Sequence, residues 1–227
     1  MLLLTLAVAS AAISSPQFIN GADIVTPDDY PAQMLKDDRS AFEDVRVVVT
    51  PLGKTERCDV IGEIRVRTNA VVDKIFKDLS CSLMVRRAKF RPATGIDGQP
   101  SYGTLSAWIS WQTGDGPFYT SPDQVDAEIS VASLPKGVID PALIDVDVAV
   151  DADGTPAACI AAPMGKPAAP RQVISPALAE VACAQFTASG KLNPAHTQAG
   201  VAVASVQRLV ARFTAAKAPV VPPLAGK

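Results

Sequence analysis

Four cysteines are the residues of this chain whose spacing most clearly predicts chemistry. Cys58 precedes Cys81 by 23 residues, and Cys159 precedes Cys183 by 24 residues. Because each pair joins a predicted strand to the last turns of a predicted helix, the pattern favours two disulfides, one in each half of the chain. Buried free thiols are the alternative. With no C-x-x-C motif and a single histidine, the cysteines are not expected to bind a metal ion.

One histidine and a group of aspartates are the other residues that could take part in catalysis or bind a metal ion. His196 has no Ser or Cys in a motif around it, so we interpret it as a turn or surface histidine. The aspartates lie close together before a glycine: Asp145, Asp147, Asp151 and Asp153. An EF-hand aligned on Gly154 would have alanine and isoleucine at its first and twelfth ligand positions, which excludes that type of calcium site. We interpret the aspartates as solvent-facing strand positions followed by a hairpin turn.

The sequence contains none of the common catalytic motifs, including the G-x-S-x-G nucleophile elbow, the P-loop and the H-E-x-x-H zinc motif. We therefore predict no enzyme, no catalytic residue, no metal site and no cofactor. A small hydrolase site between the two halves is the least favoured alternative. The net charge of −2 gives no overall attraction to nucleic acid. Because aromatic residues make up only 5% of the chain, each hydrophobic core must be small.

Hydrophobic periodicity predicts the elements β-β-α-β around the first cysteine pair. The stretch Val45–Val49 has valine at every second position, which is the period of a strand with one buried face. Pro51–Gly53 predicts a hairpin turn, and Cys58–Ile64 predicts the returning strand. A third strand is predicted at Leu105–Trp111. The predicted fold class is therefore α+β.

A helix is predicted between the second and third strands. Asp73 is the predicted N-cap, and Pro92 marks the point by which the helix has ended. The apolar positions recur at helical spacing, with one further residue on a neighbouring stripe: Ile75, Leu79, Leu83 and Met84, with Phe76 beside them. This stripe is expected to pack on the hairpin.

The same order of residues recurs in the second half of the chain. Seven residues of the first half have a counterpart in the second half, in the same order. They are Gly53 and Gly154, Cys58 and Cys159, Cys81 and Cys183, Pro92-Ala93 and Pro194-Ala195, Gly98 and Gly200, and Trp111 and Phe213. The offset is 101 residues before the helix and 102 after it begins. Ser175-Pro176 replaces Asp73-Lys74 as the predicted start of the helix. We interpret this pattern as a degenerate tandem duplication of two β-β-α-β units, each a small three-stranded antiparallel sheet packed on helices.

The N-terminal 13 residues are apolar and end in small residues, and Ala9-Ser10-Ala11 is an A-x-A cleavage site. We predict a signal peptide at 1–13 and a location in the periplasm; an inner-membrane anchor is the alternative. The other predicted boundaries are 21–113 for the first domain, 114–140 for a linker with an additional strand near 125–131, 141–215 for the second repeat and 216–227 for a Pro-rich tail.

Three motifs of the first repeat point to a known family. Tyr30-Pro31 precedes the first strand, the run R-R-A-K-F-R-P-A occupies 86–93, and Asp97-Gly98 follows. With its two cysteines and Trp111, this stretch resembles the C-terminal domain of TonB energy transducers, in the Cys-containing form of alpha-proteobacteria. The resemblance covers about residues 28–113. The second repeat keeps the Gly, Cys and Pro-Ala positions but lacks the basic run.

The resemblance implies a periplasmic, non-enzymatic protein of a Gram-negative bacterium. In that family the last strand binds an extended peptide, the TonB box of an outer-membrane receptor, as an added strand. Carried over by position, the binding strand comprises Leu105, Ser106, Ala107, Trp108, Ile109, Ser110, Trp111 and Gln112. Family transducers also have a membrane anchor and a Pro-rich spacer, and we find neither between Ile13 and Tyr30. We therefore expect a binding module, linked to TonB-dependent transport, without its own energy coupling.

Two alternatives follow from the same strand. The partner of the edge is either a receptor TonB box or another periplasmic protein. The rival function is structural, in which the edges pair between copies to give a homodimer or an envelope scaffold. Because Trp108 and Trp111 are three positions apart on a strand, they are expected to face opposite sides of the sheet, with at least one in the core.

Overall fold

The computed structural model describes residues 12–66, 69–112, 124–163 and 175–216. It has the predicted α+β class, with one large sheet and a helix on each of its faces. Most of the predicted signal peptide and Pro-rich tail lie outside the described residues, as does 113–123 of the predicted linker. Among the described residues, no helix is both long and apolar enough to cross a membrane.

The described part of the chain contains three α-helices, two short 3-10 helices (Gly21–Asp23 and Pro27–Asp29) and twelve strands. The α-helices are α1 (Ala32–Lys36), α2 (Ala70–Arg87) and α3 (Pro176–Ala188). The strands are β1 (Gln17–Phe18), β2 (Ser40–Val49), β3 (Thr55–Val66), β4 (Phe90–Arg91), β5 (Ala93–Thr94), β6 (Pro100–Trp111), β7 (Ala127–Val131), β8 (Ala142–Val150), β9 (Pro156–Ala161), β10 (Ala195–His196), β11 (Ala202–Val203) and β12 (Ser205–Ala215). β7 falls where the sequence indicates an additional strand.

The main sheet has the strand order β3-β2-β6-β12-β8-β9. Residues 40–112, which contain β2, β3, α2 and β6, are called the first half, and residues 142–216, with β8, β9, α3 and β12, the second half. Within each half the central strand is antiparallel to both neighbours. The halves meet where Tyr102–Thr104 of β6 pairs in parallel with Ser205–Gln207 of β12.

The two long helices pack on opposite faces of this sheet. Leu105 and Trp111 of β6 belong to the core under α2, and Leu209 of β12 belongs to the core under α3. In the parallel ladder Ser205 lies beside Tyr102, so odd-numbered residues of β12 share a face with even-numbered residues of β6. Each half therefore has its own small core, one on each side of the sheet.

The two halves have the same pairing registers at a constant offset. Val47 pairs with Cys58, and Val148 pairs with Cys159, 101 residues later in both strands. In both hairpins the register shifts at the start of the turn. The shift falls between Val48 and Val49 in the first half, and between Ala149 and Val150 in the second half. The short hairpins β5–β6 and β10–β11 also match, since their paired residues differ by 102.

Both predicted disulfides are present. Cys58 bonds to Cys81 and Cys159 bonds to Cys183, with Cα–Cα distances of 5.4 and 5.5 Å. Each bond joins the returning strand of a hairpin to the helix that covers it. Disulfides of this kind are typical of proteins in an oxidising compartment.

The start of α2 differs from the prediction. The N-cap is Asn69, whose Oδ1 accepts hydrogen bonds from the backbone N–H groups of Val71 and Val72 at 3.1 and 3.2 Å. Asp73 therefore lies in the first turn, where its charge still complements the helix dipole. The two valines concealed this start, because β-branched residues are poor helix formers. The predicted cap Ser175 of α3 is correct, since its Oγ accepts the N–H of Leu178.

The buried stripe of α2 is also displaced by one position from the prediction. Phe76 is 0% exposed, whereas Ile75 is 36% exposed. Leu83 and Met84 are buried as predicted, and Leu79 packs partly buried against them. With Phe76 at the centre, the stripe includes Val72 one turn earlier, and this rotation brings the aromatic ring onto the sheet.

Gly53 provides a test of the hairpin turn. Its φ is +72°, and a β-carbon there would collide with the carbonyl oxygen of Phe90. We expect Gly53→Ala to lower the free energy of unfolding by at least about 2 kcal/mol, because left-handed backbone strain and the collision add. Gly137→Ala is the matched control: its φ is +87° but nothing lies within 4 Å of the new methyl group. Urea unfolding of both variants measures the difference, and equal losses would contradict the close approach.

Candidate functional site

The edge of β6 is the candidate site. One edge of this strand pairs with β2 over Gly103–Trp111. The other edge pairs with β12 only at Tyr102–Thr104. From Leu105 onward, no strand among the described residues pairs with this second edge. An edge of this kind, without a strand partner among the described residues from Leu105 to Trp111, can accept an added strand.

Side chains of the predicted binding strand divide between the two faces of the sheet. Leu105, Ile109 and Trp111 are buried under α2, and Ala107 is half-buried on the same face. On the opposite face Ser106 and Ser110 are exposed and Trp108 is half-buried, and Gln112 follows the strand half-buried. The Trp108 ring stacks on Phe42 with ring centres 5.7 Å apart. The two tryptophans thus face opposite sides, as the sequence predicts.

Trp111 anchors the strand in the first core. Its Nε1 donates a hydrogen bond to Ser80 Oγ at 2.8 Å, so the one polar atom of the ring is satisfied although the side chain is 1% exposed. The rings of Tyr30 and Phe76 lie 5.9 and 5.7 Å from it. The strand is held rigidly on its α2 face, so an added strand would meet a preformed edge.

A cleft of about 270 Å³ lies beside the free edge. Four consecutive residues of the edge, Ala107–Ser110, form one wall. The other walls come from an N-terminal segment and from α2: Phe18, Gly21, Ile24, Val25 and Met84. Drug-sized ligands occupy pockets of about 300–1,000 Å³, so this cleft fits one or two apolar side chains of a peptide better than a whole small molecule.

The N-terminal segment is fixed to the first half by several contacts. β1 pairs with β4, and the Phe18 ring lies 4.6 Å from the ring of Phe90. Arg87 donates to both carboxylate oxygens of Asp29 at 2.6 and 2.8 Å, and to the carbonyl oxygen of Ile24 at 3.3 Å. The guanidinium holds the pKa of Asp29 far below its usual range. Within the basic run, Arg87 therefore has a structural role as the clamp of the cleft wall.

Sequence reasoning identified one wall of the cleft and missed the other. It predicted the strand Leu105–Gln112 but assigned no role in the site to the residues before Tyr30. The apolar residues Phe18, Ile24 and Val25 were the available indication that this stretch packs on the core.

Asp44 lies behind the edge strand, opposite Trp108 in the β2–β6 ladder. It is 2% exposed and belongs to a strand whose other residues are almost all buried. Burial raises the pKa of its carboxyl to about 6, against the opposing effects of a hydrogen bond with Gln124 and the charge of Arg46. The carboxylate is therefore costly at neutral pH.

This burial predicts a pH dependence of stability. The folded pKa of Asp44 is above the unfolded value of about 3.9, so its contribution is complete below pH 4 and is lost as the pH rises through 6. We expect Asp44→Asn to gain stability relative to the wild type between pH 4 and 7, by roughly 1 to 3 kcal/mol. Asp78→Asn, on the exposed surface of α2, controls for the loss of one carboxylate. Superimposable pH profiles for Asp44→Asn and wild type would contradict the burial effect.

The aspartates of the second half are not all solvent-facing. Asp147 is 0% exposed, accepts the N–H of Ser15 at 3.0 Å and forms an ion pair with Arg208 at 3.1 Å. The prediction was wrong for this residue because the N-terminal segment, which contains Ile13 and Ser15, packs on the face of the second half opposite to α3. Asp153 is exposed in the hairpin turn and pairs with Lys191 at 2.6 Å. Within the described residues no group of acidic, His or Cys side chains could hold a metal ion.

His196 lies in the short β10–β11 hairpin, half-buried and paired with Ala202.

No family model, curated protein or solved structure matches this chain. The functional account therefore depends on the geometry of the chain itself. Within the described residues, that geometry offers a strand edge with no strand partner beyond Thr104, and beside it a cleft lined mainly by apolar residues.

Proposed function

We propose that this protein is a periplasmic peptide-binding module of the TonB C-terminal type, which binds an extended peptide along the β6 edge at Leu105–Gln112. The observation that carries the proposal is that Ala107–Ser110, which have no strand partner on this edge among the described residues, also form one wall of a cleft lined mainly by apolar residues. The partner is a TonB box of an outer-membrane receptor or another periplasmic protein with an extended segment.

Strand addition explains how such a surface would bind. Main-chain hydrogen bonds from the β6 edge supply affinity for any extended backbone, and alternate side chains supply selectivity. An apolar side chain facing α2 would enter the cleft beside Ala107 and Met84, while its neighbours in the peptide would face solvent or Trp108. The partner is therefore a segment with apolar residues at alternate positions.

The tandem arrangement is part of this proposal. Equal pairing registers at offsets of 101 and 102 support descent of both halves from one duplicated unit. Two of the residues that carry the family resemblance have a clear structural role. Phe90 is 3% exposed in the first core, and Gly98 has a φ of +76° in the turn before β6. We propose that the ancestral unit was of the TonB C-terminal type.

The periplasmic location rests on the disulfides and on the start of the folded chain. The two disulfides support an oxidising compartment, and the periplasm is such a compartment. Ile13 is 4% exposed in a small apolar cluster with Ala149 and Val206. Cleavage after Ala11 would leave this residue in the mature protein, so we propose that site as the end of the leader.

Peptide binding to two neighbouring variants tests the function. The probes are synthetic peptides with the sequences of TonB-box segments from the host's outer-membrane receptors. Ala107→Glu places a charge in the cleft, and we expect it to weaken binding at least about tenfold, because the charge is desolvated or displaces the peptide. Ser106→Glu, one position earlier and exposed on the other face, should change affinity little. Equal affinity of both variants would contradict the site.

The structural rival makes a different prediction for the same two variants. If the edge pairs with a second copy, the wild type would sediment as a dimer without peptide, and Ala107→Glu would sediment as a monomer. The proposed function predicts that wild type and both variants have the same mass in solution. Sedimentation equilibrium distinguishes the two.

A further inference from the structure

β12 is the counterpart of β6 in the second half. Val148 of β8 pairs with Gln207 of β12, and Val47 of β2 pairs with Leu105 of β6, at the offsets of 101 and 102. Past the short contact between β6 and β12, the corresponding edge of β12 is not open. It pairs in parallel with β7, from Ala211 beside Ala127 to the end of both strands.

β7 lies along Ala211–Ala215, whose first two residues correspond to Ile109 and Ser110 of the cleft wall in the first half. Ala127, Ile129 and Val131 are half-buried and pack against the core under α3. Glu128 and Ser130, between them, are exposed. β7 therefore has the alternation expected of a peptide added to a sheet edge, with its apolar side chains directed at the core.

Polar contacts hold β7 at both ends. Asp126 donates its N–H to the carbonyl oxygen of Val210 at 2.8 Å and accepts the N–H of Val210 on its carboxylate at 2.9 Å. At the far end Ala216 donates to the carbonyl oxygen of Val131 at 2.7 Å. Between them Arg212 and Glu128 form an ion pair at 2.7 Å. This set of contacts on five residues keeps the edge closed.

We propose that β7 is an internal ligand that closes a second peptide-binding edge on β12. When β7 is displaced, the edge Ala211–Ala215 accepts an extended peptide that runs parallel to β12 and carries small apolar residues at alternate positions. The inference goes beyond the function proposed for β6, because it depends on the observed β7–β12 pairing and not on any ligand of the first half.

Displacement of β7 and its replacement by a free peptide test this inference. The probe is a labelled synthetic peptide of residues 125–132. Ile129→Asp removes an apolar contact of β7, and Ser130→Asp is the matched control, with the same charge on the exposed face of the same strand. We expect Ile129→Asp to bind the probe at least about tenfold more tightly than wild type or Ser130→Asp, because its competent edge is populated. Amide hydrogen exchange should slow at Ala211–Ala215 when the probe binds.

A second variant guards against loss of the fold. Asp126→Ala removes the carboxylate that accepts the N–H of Val210 but leaves the apolar contacts of β7 in place. We expect intermediate affinity for the probe, with an unchanged circular dichroism spectrum. Failure of both folded variants to bind the probe would overturn the inference. Protection confined to Ala107–Ser110 would also overturn it while supporting peptide binding at β6, and protection confined to Ala211–Ala215 would support it even if β6 binds nothing.

Discussion

Replacing Asp147 with alanine is expected to lower the free energy of unfolding by about 3 kcal/mol. Its carboxylate is 0% exposed and is the partner of Arg208, whose side chain is 26% exposed. The substitution leaves a largely buried guanidinium without its partner and the Ser15 N–H without its acceptor. Because Arg208 retains some contact with water, the lower end of the range for broken buried pairs applies. Urea unfolding monitored by circular dichroism measures the loss.

The matched control is an exposed ion pair. Asp78 pairs with Lys74 on α2, and their side chains are 64% and 75% exposed. Asp78→Ala is expected to cost at most about 0.5 kcal/mol, since exposed pairs within a helix contribute little. Equal losses in the two variants would contradict the structural importance that we assign to Asp147 and to the N-terminal segment that covers it.

Removing the Cys58–Cys81 disulfide by a double substitution to alanine is expected to lower the free energy of unfolding by about 3 kcal/mol. The bond closes a loop with a sequence separation of 23, and its loss increases the conformational freedom of the unfolded chain. It also releases α2 from β3, and α2 covers the first core. We expect the urea midpoint of the variant to fall accordingly, with most of the native circular dichroism retained in the absence of urea.

The second disulfide provides the control for this prediction. Cys159 and Cys183 have a separation of 24, so the loop-entropy contribution is almost the same. Substitution of this pair by alanine should therefore give a loss within about 1 kcal/mol of the first. A negligible effect of either pair, or free thiols that react in the denatured wild type without reductant, would contradict the two-disulfide structure.

Local patterns were sufficient to predict the long strands of both halves, the presence of α2 and α3, and the two disulfides, but not the two-residue strands. Alternating valines at Val45–Val49 and Val146–Val150 identified the central strand of each half, because burial of one sheet face imposes a period of two. The repeated interval from glycine to cysteine fixed the hairpins. These predictions needed only interactions within one repeat.

The predictions that failed depended on contacts between distant parts of the chain. The alternation of β8 predicts an exposed side chain at Asp147. In the structure this side chain is buried by the segment that contains Ser15, which is 132 residues earlier in the sequence. The choice of Phe76 over Ile75 as the buried residue of α2 depends on how the helix is rotated on the sheet, and neighbouring apolar residues cannot decide that. The start of α2 at Asn69 was concealed by local propensity.

The candidate site also has one part that was predicted from the sequence and one part that was not. The family resemblance implied Leu105–Gln112 as the binding strand, and the structure places β6 inside the main sheet, with β12 beside it at Tyr102–Thr104. The cleft beside this strand was not predicted, because its second wall comes from Phe18–Val25, which lies outside the repeat. The closure of the β12 edge by β7 was also beyond local reasoning, since a short alternating segment does not specify the strand with which it pairs.

Amide hydrogen exchange of the β6 edge is the measurement that tests the central claim most directly. Wild-type protein would be compared with and without a TonB-box peptide at saturating concentration. The account predicts that exchange slows within Leu105–Gln112, most strongly within Ala107–Ser110, because the alternate N–H groups that point away from β2 gain acceptors from the added strand. Peptide binding that slows exchange elsewhere and leaves Leu105–Gln112 unchanged would contradict the account.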